Sequence, residues 1–379
     1  MWIYFLLLIL IFLDFGLEFL CNKKLTKENK FKHFLDFVFK FRLISILAIV
    51  LISTLRAYSV GTDIPNYYKE YESFKTLSFG QAKSVSRFEF GYFLLTFVFA
   101  KIGLGFRFVL LLSSIFTAVC FWLFIKEFSP NKCMSLILFV CFGLFAQSLN
   151  IMRHIIALDF VLLAIVFLHK NKIWQTVLMI LLASLFHITA LIGLVFILFK
   201  YLKPTWQLFA FSVLLVLVGV KIFPFAMKVV GLITPIDFYN QYFVVERDKF
   251  ISTPGLIDNL YSIGLTLIFI VLFALRKYLK NLNEKEKTVY NFFLIVYMIV
   301  PLIRLAGFAM SAQNLLHRLN VWFFFSLIIL VPMFIKGLNL SKKWNICVQC
   351  ATFLGAFWYM YYFYAVQASN EVVPYLFCF

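Results

Sequence analysis

Apolar runs of about twenty residues recur along this chain, and this is the length that a membrane-spanning helix needs. Trp2–Leu20 is the first such run, and the last lies at about Trp344–Val366. The composition agrees, because 63% of the residues are hydrophobic and 14% are charged, whereas soluble domains are about 45–50% apolar and about 25% charged. We therefore predict an all-α fold, a polytopic membrane helical bundle of roughly ten to twelve transmembrane or re-entrant helices. Residues 1–379 are expected to form a single integral membrane domain.

The net charge of the chain is +18. In a soluble protein so large a positive charge would point to nucleic acid as a partner. Here most lysines lie in short segments between apolar runs, where the positive-inside rule accounts for them. The predicted partner is therefore the lipid bilayer and not nucleic acid.

Seven cysteines are scattered along the chain, mostly within apolar runs. Cys347 and Cys350 have the spacing of a redox or metal-binding pair, but no second pair or nearby histidine completes such a site. The sequence thus predicts no metal and no cofactor.

Lysine-rich loops give a predicted orientation for the spans. Cys21–Phe41, Arg276–Lys287 and Lys336–Lys343 are basic, and basic loops face the cytoplasm. The segments 58–90 and 223–255 are then predicted to be extracytoplasmic loops. The same reasoning places Arg56, Arg304–Arg318 and the tail after the last span on the outer face.

The middle of the chain does not fit a simple alternation of spans. Counting forward from residue 58 puts Arg153 inside, whereas counting back from the basic pair at Lys170 puts it outside. One segment within 91–149 is therefore predicted to be re-entrant or split, which membranes tolerate where irregular backbone lines a cavity. Farther on, Ile173–Phe199 is predicted to form two short arms that meet outside near His187.

One outer loop has a helical pattern of its own. Apolar side chains recur at helical spacing from Ile64 to Leu77, and charged or hydroxyl side chains occupy the opposite face. Asp63 and Pro65 suit the start of a helix. We predict an interfacial outer helix at about 64–77, lying flat on the membrane surface.

Arginines near the ends of apolar runs are the main functional candidates. A charge at membrane depth costs about 2.5–3.5 kcal/mol on insertion scales, so an intramembrane arginine marks a functional site by default. The planar guanidinium is also well shaped to hold phosphate. The residues that meet this description are Arg56, Arg153, Arg304 and Arg318, with His154 beside Arg153.

The outer loop adds carboxylates and a further cation. Asp63, Arg87 and Glu89 would bind a sugar phosphate together with Arg56, the arginines on phosphate and the carboxylates on hydroxyl groups. The alternatives are helix capping for Asp63 and stabilisation of a helix dipole for Glu89. His187 is a candidate general base, because histidine as a residue type titrates near neutral pH. A histidine on an apolar helix can instead be satisfied by a nearby hydroxyl.

Five short segments of the chain carry a resemblance to a known family, and they occur in the order expected for that family. The chain resembles the EpsG-type polysaccharide polymerases, relatives of the Wzy O-antigen and capsule polymerases. It departs from the family pattern at His154, where a glutamine is usual, and at Trp322, where an aromatic hydroxyl is common. The segments are Arg56–Asp63 followed by Tyr67 and Tyr68, Phe88–Tyr92, Leu149–Ala157, Phe186–Ile192 and His317–Arg318, with Val373–Tyr375 resembling the closing segment.

The resemblance implies a metal-independent membrane glycosyltransferase in the bacterial cytoplasmic (inner) membrane. Such polymerases transfer a glycan from undecaprenyl pyrophosphate to a second lipid-linked repeat unit, producing O-antigen, capsule or exopolysaccharide. Arg153 and Arg318 would then hold the pyrophosphate, assisted by Arg56 or Arg304, and donors aimed at the leaving oxygen stabilise its charge. The base would be His187, Asp63 or Glu89, with His187 favoured. A flippase and a chain-length regulator are the protein partners that such an enzyme would have.

Three other functions are alternatives for a chain with a cationic membrane site. A lipid-linked oligosaccharide flippase would also need a cationic site within the membrane. Transporters usually carry internal repeats, however, and the second half of this sequence has no evident repeat of Arg56–Asp63. An O-antigen ligase shares the donor and is expected to have one long outer loop late in the chain. A membrane O-acetyltransferase is a weaker alternative.

Overall fold

A computed structural model describes residues 1–24, 38–40, 42–233, 255–310 and 313–378. Most of the predicted basic loop at Cys21–Phe41 and residues 234–254 of the predicted loop 223–255 lie outside the described residues. The chain divides into two compact units, Met1–Leu194 with Ser341–Phe379, and Val195–Leu340. That the whole chain forms one domain stays a prediction.

The first unit is helical throughout its described part, apart from short connections and an isolated bridge between Arg56 and Phe377. Apolar composition makes its longest helices candidate membrane spans, at the start of the chain, at two places in the middle and near the end. Its α-helices are α1 Trp2–Lys24, α2 Leu43–Thr54, α3 Ile64–Phe74, α4 Phe79–Val85, α5 Phe90–Lys101, α6 Phe106–Phe128, α7 Lys132–Cys141, α8 Leu144–Asn150, α9 Met152–His169 and α10 Ile173–Ser184, with α17 Lys342–Tyr361.

The second unit contains the remaining spans. The hydroxyl of Tyr290 donates to the carbonyl of Leu272 (2.9 Å), and the hydroxyl of Tyr297 donates to the carbonyl of Leu265 (3.1 Å). The helix that begins at Trp206 continues to Ile233, so the predicted loop 223–255 begins as helix rather than as irregular chain. The helices are α11 Val195–Phe199, α12 Trp206–Ile233, α13 Leu256–Ala274, α14 Glu284–Met310, α15 Gln313–Phe324 and α16 Leu327–Gly337.

By length and composition, 7 described helices can cross a membrane, or up to 8 if a bent pair counts as one span. The bent pair is α7 and α8, which meet at 51°. Gly143 lies at the bend with φ 84°, a left-handed conformation that glycine adopts at little cost. The predicted polytopic helical membrane fold is confirmed, and the break falls inside the segment 91–149 that was predicted to be re-entrant or split.

The outer loop contains the predicted amphipathic helix, now α3, which ends at Phe74 rather than at residue 77. Its apolar face is buried at Ile64, Tyr67, Tyr71 and Phe74, and it packs with α5 and the start of α6 in one aromatic-rich cluster. Asp63 occupies the N-cap position, but its side chain makes no capping hydrogen bond. Burial of the aromatic stripe, and not side-chain capping, therefore holds this helix in place.

The segment around His187 is broken as predicted. Helix α10 ends at Ser184, and a 3-10 helix, Ile188–Leu194, follows. The 3-10 helix runs on into α11, so two short helical arms flank His187.

Candidate functional site

Glu89 joins three parts of the first unit. It lies in extended conformation immediately before α5. One carboxylate oxygen accepts a hydrogen bond from the guanidinium of Arg153, the second residue of α9. The other accepts from Nδ1 of His187 (2.9 Å) and from the backbone N–H of Ile188 (3.4 Å). We call Glu89, Arg153, His154 and His187 the Glu89 cluster.

Close backbone packing brings these residues together. The N–H of Gly91, in the first turn of α5, donates to the carbonyl of Leu185 at the end of α10 (2.7 Å). A Cβ atom at Gly91 would lie 2.9 Å from that carbonyl oxygen, closer than real Cβ atoms come. Only glycine therefore lets the start of α5 approach the break that carries His187.

Aromatic rings enclose the guanidinium of Arg153. Its central carbon lies 4.7 Å from the ring centre of Phe88 and 5.8 Å from that of Tyr67. Cation–π contacts of this kind favour a charged guanidinium in a partly desolvated place. Its Nε is buried and has no hydrogen-bond partner among the residues that the structure describes.

The two histidines of the cluster lie against each other. The ring centres of His154 and His187 are 4.7 Å apart, with the planes 38° apart. His154 is 6% exposed and His187 is half-buried.

Glu89 has an unusual pKa. Burial by itself would raise the pKa of this carboxyl, but the hydrogen bond from His187 and the charge of Arg153 outweigh burial and lower the pKa to about 2. A carboxylate with so low a pKa is a poor proton acceptor at neutral pH. Its contacts suit a hydrogen on Nδ1 of His187 and an ion pair with Arg153.

A second carboxylate lies beside this region. Glu70, on α3, accepts a hydrogen bond from the hydroxyl of Ser86. Burial raises the pKa of Glu70, opposed by the Ser86 hydrogen bond and the positive charge of Arg153. Sequence reasoning assigned Glu70 only to the polar face of the outer helix. The side chain of Arg87, predicted to bind substrate, is exposed.

Asn150 fixes the outer turn to the start of α9. Its side-chain oxygen accepts from the hydroxyl of Thr62 (3.0 Å) and the N–H of Asp63 (2.8 Å), and its Nδ2 donates to the side chain of Asn370 (2.9 Å). Gly61 has φ 102° and a Cβ there would lie 2.5 Å from the carbonyl of Leu149. Sequence reasoning did not reveal this contact with Asn150.

Arg56 is buried within the first unit. It is 1% exposed, donates to the carbonyl of Ser53 and contacts the sulfur of Met152 at 3.6 Å. Arg107, which sequence reasoning did not single out, donates to the carbonyls of Thr54 (2.6 Å) and Arg56 (2.5 Å). The predicted contact of Arg56 with pyrophosphate stays a prediction, and these bonds favour a structural role.

The other predicted residues are not in the cluster. The Asp63 carboxylate is half-buried and has no hydrogen bond or ion pair within the part of the chain that the structure describes. Arg304 and Arg318 belong to the second unit, where Arg304 is 6% exposed and Arg318 is exposed. No group of three or more His, Cys, Asp or Glu side chains among the described residues could hold a metal ion.

The long apolar helices define a multi-pass membrane protein. The chain belongs to the EpsG family, whose sequence model matches residues 39–377, nearly its whole length. Members of this family are Wzy-like polysaccharide polymerases, so a role of the polysaccharide-polymerase type follows from membership. The resemblance carried by the five sequence segments is thereby confirmed. No curated protein and no solved structure matches the chain.

Proposed function

We propose that this protein polymerises lipid-linked oligosaccharide repeat units into a surface polysaccharide, as a glycosyltransferase at the outer face of the bacterial cytoplasmic membrane. The donor is a glycan chain on undecaprenyl pyrophosphate, and the acceptor is the sugar of a second lipid-linked repeat unit. Family membership supports the reaction type. The observation that carries the proposal is the contact of Arg153 and His187 with one carboxylate, Glu89.

The proposed reaction is a displacement at the anomeric carbon of the donor. The acceptor hydroxyl attacks this carbon, a new C–O bond forms, and the bond to the pyrophosphate oxygen breaks with its electron pair leaving on that oxygen. The proton of the hydroxyl passes to Nε2 of His187, whose Nδ1 hydrogen is held by Glu89. No metal ion enters this scheme, and arginine supplies the positive charge that the leaving group requires.

Arg153 is proposed to stabilise the departing pyrophosphate. It extends from the first turn of α9, where the positive end of the helix dipole adds to its own charge. Its bond with Glu89 and the rings of Phe88 and Tyr67 hold the guanidinium in place before substrate arrives. His154 is proposed to contact the same anion.

The remaining predicted residues have supporting roles in the proposal. Arg318 is proposed as a pyrophosphate-binding group, Arg304 as a group that assists it, and Arg87 and Asp63 as contacts of sugar hydroxyls or phosphate. Arg56 is proposed to hold the outer turn in place, because its own bonds go to the protein.

Two variants test the assignment in cells. Arg153→Ala and Arg318→Ala are expected to leave the protein in the membrane and to give glycans of one repeat unit only. Loss of one preorganised donor costs roughly 10²–10³-fold in turnover, which is enough to stop chain growth. Long chains in both variants would contradict the assigned site.

Deletion of the gene separates the proposed function from its rivals when surface glycan is sized. Single-repeat product is expected for a polymerase. Loss of all exported repeats would instead identify a flippase, and long polymer that stays unattached would identify a ligase. Either of these outcomes overturns the proposal.

A further inference from the structure

A pocket at one end of the second unit is lined by three cationic side chains. It lies between the start of α12, the end of α13 and the start of α14, and it has a volume of about 410 Å³. The cations are Arg276, Lys277 and Lys287, and no aspartate or glutamate is found among the described residues that line the pocket. Three like charges around one space repel one another unless an anion lies between them. The pocket therefore favours an anionic ligand.

Arg276 is held in a fixed position at the wall of this pocket. One of its terminal nitrogens donates to the carbonyl of Phe273 (2.6 Å), and its central carbon lies 3.9 Å from the centre of the Phe273 ring. The indole of Trp206, which also lines the pocket, packs on the same ring with 4.3 Å between the ring centres. The guanidinium is thereby oriented before a ligand arrives, and such preorganisation lowers the cost of binding.

The carboxylates near the pocket in sequence compensate little of this positive charge. Glu284 pairs with Lys287 (2.8 Å), but its side chain is 88% exposed, and water screens a pair of this kind. Glu286 pairs with a lysine outside the pocket (2.5 Å). Within the described part of the chain, neither Arg276 nor Lys277 forms an ion pair with a carboxylate.

The pocket lies at the end of these helices that is predicted to face the cytoplasm. The basic loop Arg276–Lys287 is part of it, and basic loops face inside. Residues 234–254, outside the described residues, connect α12 and α13 at their opposite ends, roughly 28 Å away along the 19 residues of α13. Trp206 and Tyr278 are 50% and 52% exposed, and exposed tryptophan and tyrosine are typical of the membrane–water interface. A ligand in the pocket would thus lie at the level of the lipid headgroups.

An apolar stripe continues from the pocket along the outside of α13. Leu267, Val271 and Leu275 are spaced by four residues and are 55%, 47% and 37% exposed. The stripe ends one residue before Arg276. A molecule with a phosphate in the pocket would therefore find apolar surface for a hydrocarbon chain beside it.

We propose that this pocket binds the headgroup of an anionic phospholipid of the cytoplasmic leaflet, with its phosphates on Arg276, Lys277 and Lys287. A guanidinium offers a planar fork of donors to phosphate oxygens, and each ammonium adds a point charge. Basic pockets between membrane helices on the cytoplasmic side suit such headgroups. Since three cations meet here, a headgroup with two phosphates, as in cardiolipin, is favoured over one with a single phosphate. The inference is independent of the proposed function, because no residue of the Glu89 cluster takes part.

Lipid binding by the purified full-length chain tests the inference. Cardiolipin, phosphatidylglycerol and undecaprenyl phosphate are added separately to the protein in detergent micelles, and bound lipid is counted by native mass spectrometry. We expect cardiolipin to bind at least about five times more tightly than either of the others, as one further phosphate–cation contact near the membrane surface would give. Inorganic pyrophosphate in large excess is expected to leave the bound cardiolipin in place. Displacement by pyrophosphate, or tighter binding of undecaprenyl phosphate, would overturn the inference.

Four variants connect the binding to the pocket. Arg276→Gln is expected to weaken cardiolipin binding at least about tenfold, the effect of losing a hydrogen bond between charged groups. Arg276→Lys should retain part of the binding, because the charge remains without the planar fork. Ala274→Trp places a large ring in the pocket and should weaken binding although every cation remains. Lys280→Gln is the matched control, since Lys280 is an exposed cation of the same loop that does not line the pocket, and it should leave binding nearly unchanged.

The outcomes remain interpretable if one variant folds poorly. Thermal stability is measured for each protein, and Arg276→Gln and Ala274→Trp act through charge and through volume, so either one can replace the other. Unchanged cardiolipin binding in a folded Arg276→Gln protein overturns the inference. An equal loss of binding in Lys280→Gln would show a general attraction to the basic loop rather than a site, and would also overturn it.

Discussion

Glu89 is the residue on which the candidate site depends, because it holds a cation and a histidine at once. Arg153 approaches it from the start of α9, and His187 approaches it from the break after α10. The low pKa of Glu89 has a consequence that can be measured. Since the folded-state pKa lies below the unfolded-state value, the ionised carboxylate stabilises the folded chain above about pH 4.5 and ceases to do so as pH falls to about 2.

We expect Glu89→Gln to lower the thermal midpoint of the purified protein by a similar amount at pH 7 and pH 5. The cost corresponds to on the order of 1–3 kcal/mol, the range for hydrogen bonds to charged groups. The difference from the wild-type chain should shrink as the pH falls from 4.5 toward 2. Glu284→Gln is the control, because that carboxylate is 88% exposed and its ion pair with Lys287 contributes little. A difference that stays constant down to pH 3 would contradict the assigned pKa.

His187 is assigned the proton transfer, and Glu89 acts through it. His187→Ala should therefore reduce the polymerisation rate by about 10²–10⁴-fold, the usual contribution of a general base. Glu89→Gln should reduce the rate less, because the imidazole remains. The rate is measured with lipid-linked repeat units and protein in nanodiscs. His169→Ala serves as control, since His169 ends α9 on an exposed surface. Equal rates for wild type and His187→Ala would remove His187 from the mechanism.

The residues of the Glu89 cluster lie at or next to the ends of helices rather than in the middle of them. The start of α5 touches the end of α10, the start of α9 carries Arg153, and the bend between α7 and α8 precedes it. Regular spans bury their apolar faces among helices or in lipid, whereas the irregular junctions leave backbone and side-chain polar groups to pair with one another. The candidate site forms at such a junction.

A substitution at Gly91 tests whether the candidate site depends on the contact between the start of α5 and the end of α10. Gly91→Ala would place a methyl group 2.9 Å from the carbonyl oxygen of Leu185, and relief requires the two helix ends to separate. We expect a loss of about 1–3 kcal/mol of stability, as for other overpacked positions, and shorter polysaccharide chains. Gly80→Ala is the matched control, because a Cβ atom at Gly80 meets nothing within 4 Å. An unchanged thermal midpoint in Gly91→Ala would show that the contact is not close in solution.

Much of the helical pattern was predictable because it follows from local spacing. Short stretches of sequence are enough to predict the apolar stripe from Ile64, the first span and the break at His187. The contact of Glu89 with His187 was not predictable, because 98 residues separate them and no local pattern pairs a carboxylate with a histidine. The same holds for Asn150 and Asn370, 220 residues apart. The mismatch in the count of spans did indicate a broken segment, since a split helix changes the sides on which later residues lie.

The two ends of the chain meet in the first unit. The hydroxyl of Tyr4, in α1, donates to the carbonyl of Val372 (2.7 Å), and the hydroxyl of Tyr375 donates to the carbonyl of Ile52 (2.6 Å). The first unit is therefore discontinuous in sequence, with Val195–Leu340 as an insertion between its parts. The C-terminal tail packs against the first helices. Folding of the first unit therefore depends on contacts between distant parts of the chain.

Removal of residues 369–379 tests how far the site depends on this closure. The tail supplies the carbonyl of Glu371 to the N–H of Gly61 (3.1 Å) and the carbonyl of Leu376 to the N–H of Ala57 (2.8 Å), and it provides the partner of Asn150. Without it, the outer turn before α3 loses these bonds, and each unpaired buried group costs about 1–3 kcal/mol. We expect a lower thermal midpoint and single-repeat glycans from a protein that still inserts in the membrane. Removal of Phe379 alone is the control and should change neither. If the longer truncation makes full-length polysaccharide, the tail does not hold the site, and the Glu89 cluster forms from the first half of the chain alone.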